Sequence, residues 1–328
     1  MARVFVTGGT GLIGGALITD LLARGDQVVA LARSESAARQ LSERGVQARR
    51  GEIDDERALT DAMEGCSVAF NLAGVNKFCV ADVEPMRRAN VDGAVAAVRA
   101  AAAAGVPRLV HTSSAATIGE PAGAIADEWT QHRGWYLSNY ERTKTEGERA
   151  AMAAARDTGQ DVVYVNPSSV QGPGRAGGTG RFLLAFLDGR LKLFVDASFS
   201  LVDIRDCVSG HLLAAERGTP GERYLLSGIR LTITEALAVT GEIAGVRRRP
   251  LIAPRPIATI GGAAVERWFK LRGQHPPVCR EMIRTLLHGH RYDGSRAERE
   301  LGLRYTSPRD TLAATIDWAR SAGLLRAA

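Results

Sequence analysis

Tyr140 and Lys144 stand four residues apart in Tyr140-Glu-Arg-Thr-Lys144. On a helix, positions i and i+4 share one face, one turn apart. A free phenol titrates near ~10 and a free lysine near ~10.4. An ammonium beside a phenol favours the phenolate, so Lys144 is expected to lower the Tyr140 pKa towards neutrality. That would make Tyr140 a general acid–base at a carbonyl or alcohol oxygen. Upstream, Leu109-Val-His-Thr112-Ser113-Ser114-Ala115 ends an apolar run in three hydroxyls. A hydroxyl at the carboxyl end of a parallel strand can hydrogen-bond a substrate oxygen. Each pattern is common alone, since Tyr–Lys pairs occur on surface helices and serines cap following segments.

A third element sits at the start of the chain. Arg3-Val-Phe-Val-Thr7 reads as an apolar strand, and Thr7-Gly8-Gly9-Thr10-Gly11-Leu12-Ile13-Gly14 turns into a helix carrying Leu17, Ile18, Leu21 and Leu22. Glycines 8, 11 and 14 then serve a tight turn, a close backbone approach to a pyrophosphate, and packing of helix on strand. The helix N-terminus would face phosphates with unpaired N–H groups. The segment from Thr7 to Gly14 is therefore a candidate dinucleotide site.

The elements that position these groups follow a regular rhythm. Strands are expected at Val28–Leu31, Val46–Arg50, Val68–Asn71, Leu109–His111 and Val162–Val165. Long Ala-rich helices are expected at about 84–104 and 138–157, ended by Gly105 and Gly159. Alternation of this kind gives right-handed crossovers and an α/β, doubly wound parallel sheet. The rhythm breaks after residue 172, at Gly172-Pro-Gly174 and Gly177-Gly-Thr-Gly180. Val202–Ile204 and Tyr224–Leu226 read as short strands returning to the core. The expected division is a core over 1–172 with returning segments near 200–228, and a smaller substrate lobe and lid over 173–199 and 229–328.

At 328 residues the chain suits one large α/β domain or a core with a smaller lobe. No apolar run approaches a membrane span, and the first strand begins at residue 3, so neither a signal peptide nor a membrane partner is expected and a cytoplasmic location is the default. Cys66, Cys79, Cys207 and Cys279 lie far apart and read as reduced thiols with no metal site. The net charge is +6, and Arg247-Arg248-Arg249 is the tight basic run. It reads as a solvated loop before Pro250, not as a nucleic-acid or membrane patch.

Glycine turn, Thr-Ser-Ser strand end and Tyr-x-x-x-Lys, in that order, resemble the extended short-chain dehydrogenase/reductase family, over nearly the whole chain. Asn71-Leu72-Ala73-Gly74 looks like the family's segment beside the cofactor, and Asn90-Val-Asp-Gly93 like its Asn-Val-x-Gly helix motif. Asn166-Pro167-Ser-Ser169-Val-Gln-Gly-Pro173 resembles the segment whose proline lies by the nicotinamide, and Tyr292–Gly302 resembles the C-terminal segment of many members. The resemblance implies that Tyr140 donates or accepts the proton and that Lys144 holds the nicotinamide ribose. It also implies that Ser114, with Ser113 as fallback, polarises the substrate oxygen and that Asn90 helps relay the proton. Cofactor contacts are implied for Leu72, Ala73, Gly74, Thr112, Tyr140, Lys144, Asn166, Pro167 and Ser169.

The cofactor can be read further. An acidic residue that would hold an NAD ribose is expected at the end of the second strand, which here runs Leu31-Ala32-Arg33-Ser34. Arg33 could pair with a 2′-phosphate and Ser34 add a hydrogen bond, which favours NADP(H), with NAD the alternative. Gly51-Glu52-Ile53 resembles the Gly-Asp-Leu segment at the adenine, with glutamate in place of aspartate.

Two branches of the family compete for the substrate. Nucleotide-sugar epimerases and dehydratases carry diphosphate-gripping groups where this chain has Ser169 and Phe199-Ser200, although Arg175 or Arg181 could substitute. The other branch resembles dihydroflavonol 4-reductases, ketone reductases and 3β-hydroxysteroid dehydrogenases, with hopanoid-associated sugar epimerases in the same looser group. The favoured expectation is an NADP(H)-dependent ketone/secondary-alcohol oxidoreductase acting on a small hydrophobic substrate. Trp135, Tyr136, Phe182 and Phe186 are its candidate substrate contacts, and Phe194, Phe199, Trp268 and Phe269 are further lid aromatics. A third reading, a non-catalytic NADP-binding regulator, is disfavoured because the Tyr–Lys pair is retained. His132 and His211 read as structural or solvent-facing. A homodimer is expected through the small face of Ala96, Ala97, Ala100 and Ala101, which an Ala-rich helix buried in the monomer would equally explain.

Overall fold

The computed structural model describes residues 1–248 and 250–325. Its strands are β1 (Arg3–Thr7), β2 (Gln27–Ala32), β3 (Gln47–Arg50), β4 (Val68–Asn71), β5 (Leu109–Thr112), β6 (Val162–Pro167), β7 (Ser169–Gln171), β8 (Leu193–Phe194), β9 (Ser198–Asp203), β10 (Arg223–Leu226), β11 (Ile229–Thr232) and β12 (Leu251–Ile252). Its α-helices are α1 (Leu12–Ala23), α2 (Glu35–Ser42), α3 (Glu56–Met63), α4 (Glu84–Arg87), α5 (Gly93–Ala103), α6 (Asn139–Thr158), α7 (Thr179–Leu187), α8 (Ile204–Arg217), α9 (Ile233–Ala244), α10 (Arg255–Leu271), α11 (Arg280–His288) and α12 (Pro308–Ser321).

Seven parallel strands form the main sheet in the order β10-β6-β5-β4-β1-β2-β3. Side chains alternate across β1: Val4 and Val6 enter one core with α1 and α8, while Phe5 enters the other with α3, α5 and α6. A sheet covered on both faces requires such strands, and the apolar runs in the sequence reflect it. The order reverses between β1 and β4, and a doubly wound sheet opens its ligand crevice at the carboxyl ends flanking such a switch.

Several expectations change in detail. The helix foreseen over 84–104 is α4, a π-helical turn at Arg88–Asp92, and α5. Asn90 lies in that widened turn, with α6 so close that a Cβ on Gly147 would lie 1.9 Å from the Asn90 carbonyl oxygen. Val202–Ile204 does return to the main core, where Val202 and Ile204 pack with β1 and α1, but β9 pairs with β7 and β11 in a separate three-stranded sheet, whereas Tyr224–Leu226 joins the main sheet as edge strand β10. The C-terminal lobe is also interrupted, because Ala297, Leu301 and Leu303 pack into the main core beside α8.

Ala96, Ala97, Ala100 and Ala101 are buried inside the monomer among Leu59, Met63 and Ala151, so this face is not free for a homodimer. Cys79 and Cys279 are not free thiols; they form a disulfide, with Cα atoms 5.7 Å apart and 200 residues between them in sequence. That separation hides the pairing from any reading of spacing. Cys66 and Cys207 are free and buried. Arg247 and Arg248 are exposed, Arg248 also donating to the Leu187 carbonyl, and Arg249 is outside the described residues.

Candidate functional site

The glycine turn behaves as its spacing requires. Gly8 adopts φ +70°, and a Cβ there would sit 2.9 Å from the Ala73 nitrogen. A Cβ on Gly14 would lie 2.3 Å from the Gly8 carbonyl oxygen, so only glycine lets α1 pack on the turn. Gly11 caps α1 with no side-chain hydrogen bond, which leaves first-turn N–H groups for an anion. Thr10, Gly11, Leu12 and Ile13 border this opening, with Thr10 and Gly11 exposed. The cradle therefore fits a dinucleotide pyrophosphate.

Thr7 plays a different part from the one expected. Its buried hydroxyl donates to Asn71 Oδ1 (2.7 Å) and accepts from the Leu72 and Ala73 N–H groups (3.0 Å each). With its donor and both lone pairs engaged, it ties the turn to the end of β4 and has no side-chain capacity left for a cofactor. Asn71 continues the chain to His111 Nδ1 at 3.1 Å. Burial and the nearby Lys144 charge depress His111 to about 3, so that ring is neutral. Leu72, Ala73 and Gly74 follow at the crevice, and a Cβ on Gly74 would be 3.1 Å from Asn90 Oδ1 and 3.9 Å from Lys144 Nζ.

At the other end of the crevice, Arg33 is exposed at the end of β2. The nearest carboxylate in sequence, Glu35, is paired with Arg50 at 2.8 Å. The Ser34 hydroxyl caps α2 by accepting from the Ala37 N–H at 3.2 Å. Exposed Glu52 and half-buried Ile53 follow β3, with Ile53 against Gly93.

The reacting groups converge at the ends of β5 and α6. Ser138 caps α6, accepting from the Glu141 N–H at 3.0 Å, which sets Tyr140 in the first turn of a 20-residue helix. The helix dipole there favours a phenolate. Burial nevertheless raises the Tyr140 pKa, opposed by a hydrogen bond with Ser114 and by the Arg175 charge. The expectation that Lys144 activates Tyr140 is not met in this arrangement. Lys144 Nζ instead donates to the Thr112 carbonyl at 2.9 Å, and burial pushes its pKa down to about 8. The cation acting on Tyr140 is Arg175, held in the glycine loop where a Cβ on Gly178 would lie 2.5 Å from its Nη2.

Asn90 is nearly fully buried and its amide is committed: Oδ1 accepts from the Val75 N–H (2.8 Å), and Nδ2 donates to the Val75 carbonyl and Thr143 Oγ1 (3.0 Å each). The side chain thus fixes the 74–75 loop against α6 and has no remaining donor for a proton relay. The Thr112 hydroxyl pairs with His211 Nε2 at 2.9 Å, so both are structural there. The Asn166 amide nitrogen, with two hydrogens, faces Ser114 O, Thr117 Oγ1 and Glu148 Oε2, and its Oδ1 is buried without a partner among the described residues. Pro167 is buried beside it, and Ser169 bonds Thr179 at 3.1 Å within the lobe.

A cavity of about 1480 Å³ opens beside the approach to Tyr140, lined by Trp135, Leu137 and Asn139 and by α10 and α11. Trp135 is exposed under the Arg133 guanidinium, whereas Tyr136 packs edge-on to His132 at 5.3 Å and does not line this cavity. Phe186 is not a substrate contact: it is buried in the lobe core against Phe194, and Phe182 is partly exposed outside the cavity lining.

Residues far away in sequence complete the site. Phe78 lies 6.2 Å from the Tyr140 ring. Glu281 Oε1 accepts from the Asn139 N–H at 2.5 Å, and Arg284 donates from Nε to the Leu137 carbonyl at 2.8 Å. These contacts have no motif; the one hint was that Phe78 closely follows the Asn71–Gly74 segment.

Comparison with known proteins agrees with this geometry. Residues 4–227 match the model of the NAD dependent epimerase/dehydratase family. The sterol demethylase protein B of Methylococcus capsulatus is 37% identical over 98% of this chain and 99% of its own length. The 4-hydroxy-2-methyl-3-oxo-4-farnesyl-3,4-dihydroquinoline-1-oxide ketoreductase of Stigmatella aurantiaca is 32% identical over 92% of this chain and 91% of its own. The crystal structure of gox2253 superimposes with a TM-score of 0.86 at 28% identity, covering 99% of this chain and all of that one. The chain belongs to the NAD-dependent epimerase/dehydratase family and is an oxidoreductase of the extended short-chain dehydrogenase/reductase type, served by a nicotinamide cofactor.

Proposed function

We propose that the protein interconverts a ketone and a secondary alcohol on a hydrophobic substrate, using NADP(H). The observation that carries this reading is Tyr140 at the start of α6 facing Ser114 at the end of β5, on the carboxyl side of the sheet's switch point. In the reducing direction Tyr140 gives its proton to the nascent alkoxide, and Ser114 holds the substrate oxygen by a hydrogen bond. Raised above its ordinary value by burial, the phenol stays protonated at neutral pH and is ready to donate. Lys144, within a turn of Tyr140, holds the cofactor ribose. A bound nicotinamide supplies or accepts the hydride.

Arg33, exposed and with no carboxylate beside it at the end of β2, supports a 2′-phosphate and hence NADP(H). Apolar lining at Trp135, Leu137, Ile260, Ile283 and Leu287 supports a hydrophobic substrate, as do the farnesylated and sterol compounds in the names of two relatives. Oxidation of NADPH by the purified protein, against hydrophobic ketones and nucleotide-sugars with NADH in parallel, tests the reading. Turnover of a ketone with NADPH preferred supports it. Silence on every ketone, with conversion of a nucleotide-sugar and no net cofactor consumption, replaces it with an epimerase.

A further inference from the structure

Helix α10 is amphipathic in the wrong sense for a globular protein. Its inward face carries Thr259, Glu266 and Lys270, which line the cavity. Its outward face carries Ile257, Trp268 and Leu271, which are 60%, 47% and 76% exposed, while Ile260, at the mouth of the cavity, borders it. These positions, with Ala264 between them, recur at helical spacing and form one continuous stripe along the 17-residue helix. Apolar surface gathered in a contiguous patch marks an interaction site.

The charge around the stripe narrows what covers it. Residues 247–284 hold nine lysines and arginines against two glutamates, more than the surplus of +6 in the entire chain. At 100° per residue, Arg267 and Arg272 border the stripe on opposite sides, and the Arg272 guanidinium lies 3.7 Å over the Trp268 ring. A second copy of this chain docked stripe to stripe would set that positive charge against itself. An anionic lipid surface offers an apolar layer for the stripe and phosphates for the arginines at once.

We propose that α10 seats the protein on an anionic lipid bilayer, lying in the headgroup layer with its apolar face inward to the acyl chains. Among the described residues no helix is long and apolar enough to cross a membrane, and none is needed for a helix that lies on one. The sequence expectation of no membrane partner rests on the lack of a spanning run and on reading Arg247–Arg249 as a solvated loop; the outward face of α10 is a separate observation, and it overturns neither. The cavity backs onto the same helix, so seating α10 would place it about one helix diameter, ~10 Å, from the lipid. The inference does not depend on the reaction catalysed.

Flotation of the full chain with vesicles is the test, comparing equal parts phosphatidylglycerol and phosphatidylcholine with phosphatidylcholine alone. The protein is expected to float with the anionic vesicles, to be released by high salt, and to show a blue-shifted tryptophan emission when bound. A triple variant, Ile257→Ser, Trp268→Ser and Leu271→Ser, is expected to cut the bound fraction at least tenfold. Its side chains are exposed, so an unchanged melting temperature and activity on a water-soluble ketone would show that the fold is intact. Arg267→Gln with Arg272→Gln should weaken anionic binding and leave any residual binding to phosphatidylcholine unchanged. Failure of the wild-type chain to float, or equal flotation of the triple variant, overturns the proposal. So does a concentration-dependent dimer that the triple variant dissolves while neither form binds vesicles, since the stripe would then belong to a second copy.

Discussion

The two walls of the cleft are built by opposite means. On the sheet side, Thr7, Asn71, Asn90, Thr112 and Lys144 are buried polar groups whose hydrogen bonds go to one another, to the side chains of His111, Thr143 and His211, or to nearby backbone. Unsatisfied groups there would be costly, so the network permits one geometry. On the lobe side, α10 turns apolar residues to the outside. Side chains of α11, Glu281 and Arg284, hold the approach to Tyr140 through its backbone. Backbone ties constrain position without demanding particular partners. The contrast assigns fixed chemistry to the sheet and substrate range to the lobe.

The sharpest test of that contrast is the covalent link between the walls. Cys79 precedes the lobe and Cys279 caps α11, so the disulfide closes a loop of 200 residues. On the chain-entropy account such a loop adds about 5 kcal/mol. Denaturant unfolding with and without a thiol reductant, checked with Cys79→Ser, should show a loss of that order. A loss below about 1 kcal/mol would mean that the lobe is held by packing alone. Next in size, Tyr140→Phe should lower kcat/KM by about 10³-fold, within the range for a general acid, while cofactor affinity measured by fluorescence stays unchanged. Activity surviving the change would move the chemistry off the sheet wall.

A smaller effect reports the buried imidazoles. His111 and His211 are depressed by burial to about 3 and about 4, from an unfolded value near ~6.5. The unfolded chain therefore binds more protons below about pH 6.5, and stability falls as pH drops through that window at up to about 1.4 kcal/mol per unit for each ring. Between pH 6 and 5, urea unfolding of His211→Gln should show roughly half the wild-type slope attributable to these rings. An unchanged slope would remove His211 from the network. Smallest is Arg33→Ala, expected to raise the KM for NADPH about tenfold with little change for NADH; equal changes for both would end the argument for NADP(H) from β2.

Much of this was legible because local rules wrote it. Gly8 is required by its positive φ and Gly14 by its contact with the Gly8 carbonyl, both within one strand–turn–helix, so their spacing carries the site. Ser138 starts α6 and puts Tyr140 in its first turn, which the i, i+4 pattern anticipated. The role given to Lys144 failed for a reason spacing does not contain: its stem lies against β5, where the Thr112 carbonyl takes the ammonium. Thr7 and Asn166 read as cofactor contacts from their place in motifs, but the Thr7 hydroxyl is engaged by the end of β4 and the Asn166 amide nitrogen by the turn after β5 and by Glu148 of α6. Phe186 failed because aromatic character does not distinguish a lobe core from a substrate wall.

By itself, then, the sequence determined the doubly wound sheet, the glycine turn into α1 and the placing of Tyr140 and Lys144 one turn apart on α6, because each rests on residues close in the chain or at a fixed strand end. Tertiary structure alone decided the Cys79–Cys279 bond, the approach of Arg175 and Phe78 to Tyr140, and the outward face of α10. Those depend on segments separated by tens to hundreds of residues, whose meeting is fixed by how the lobe packs and leaves no periodicity in the chain.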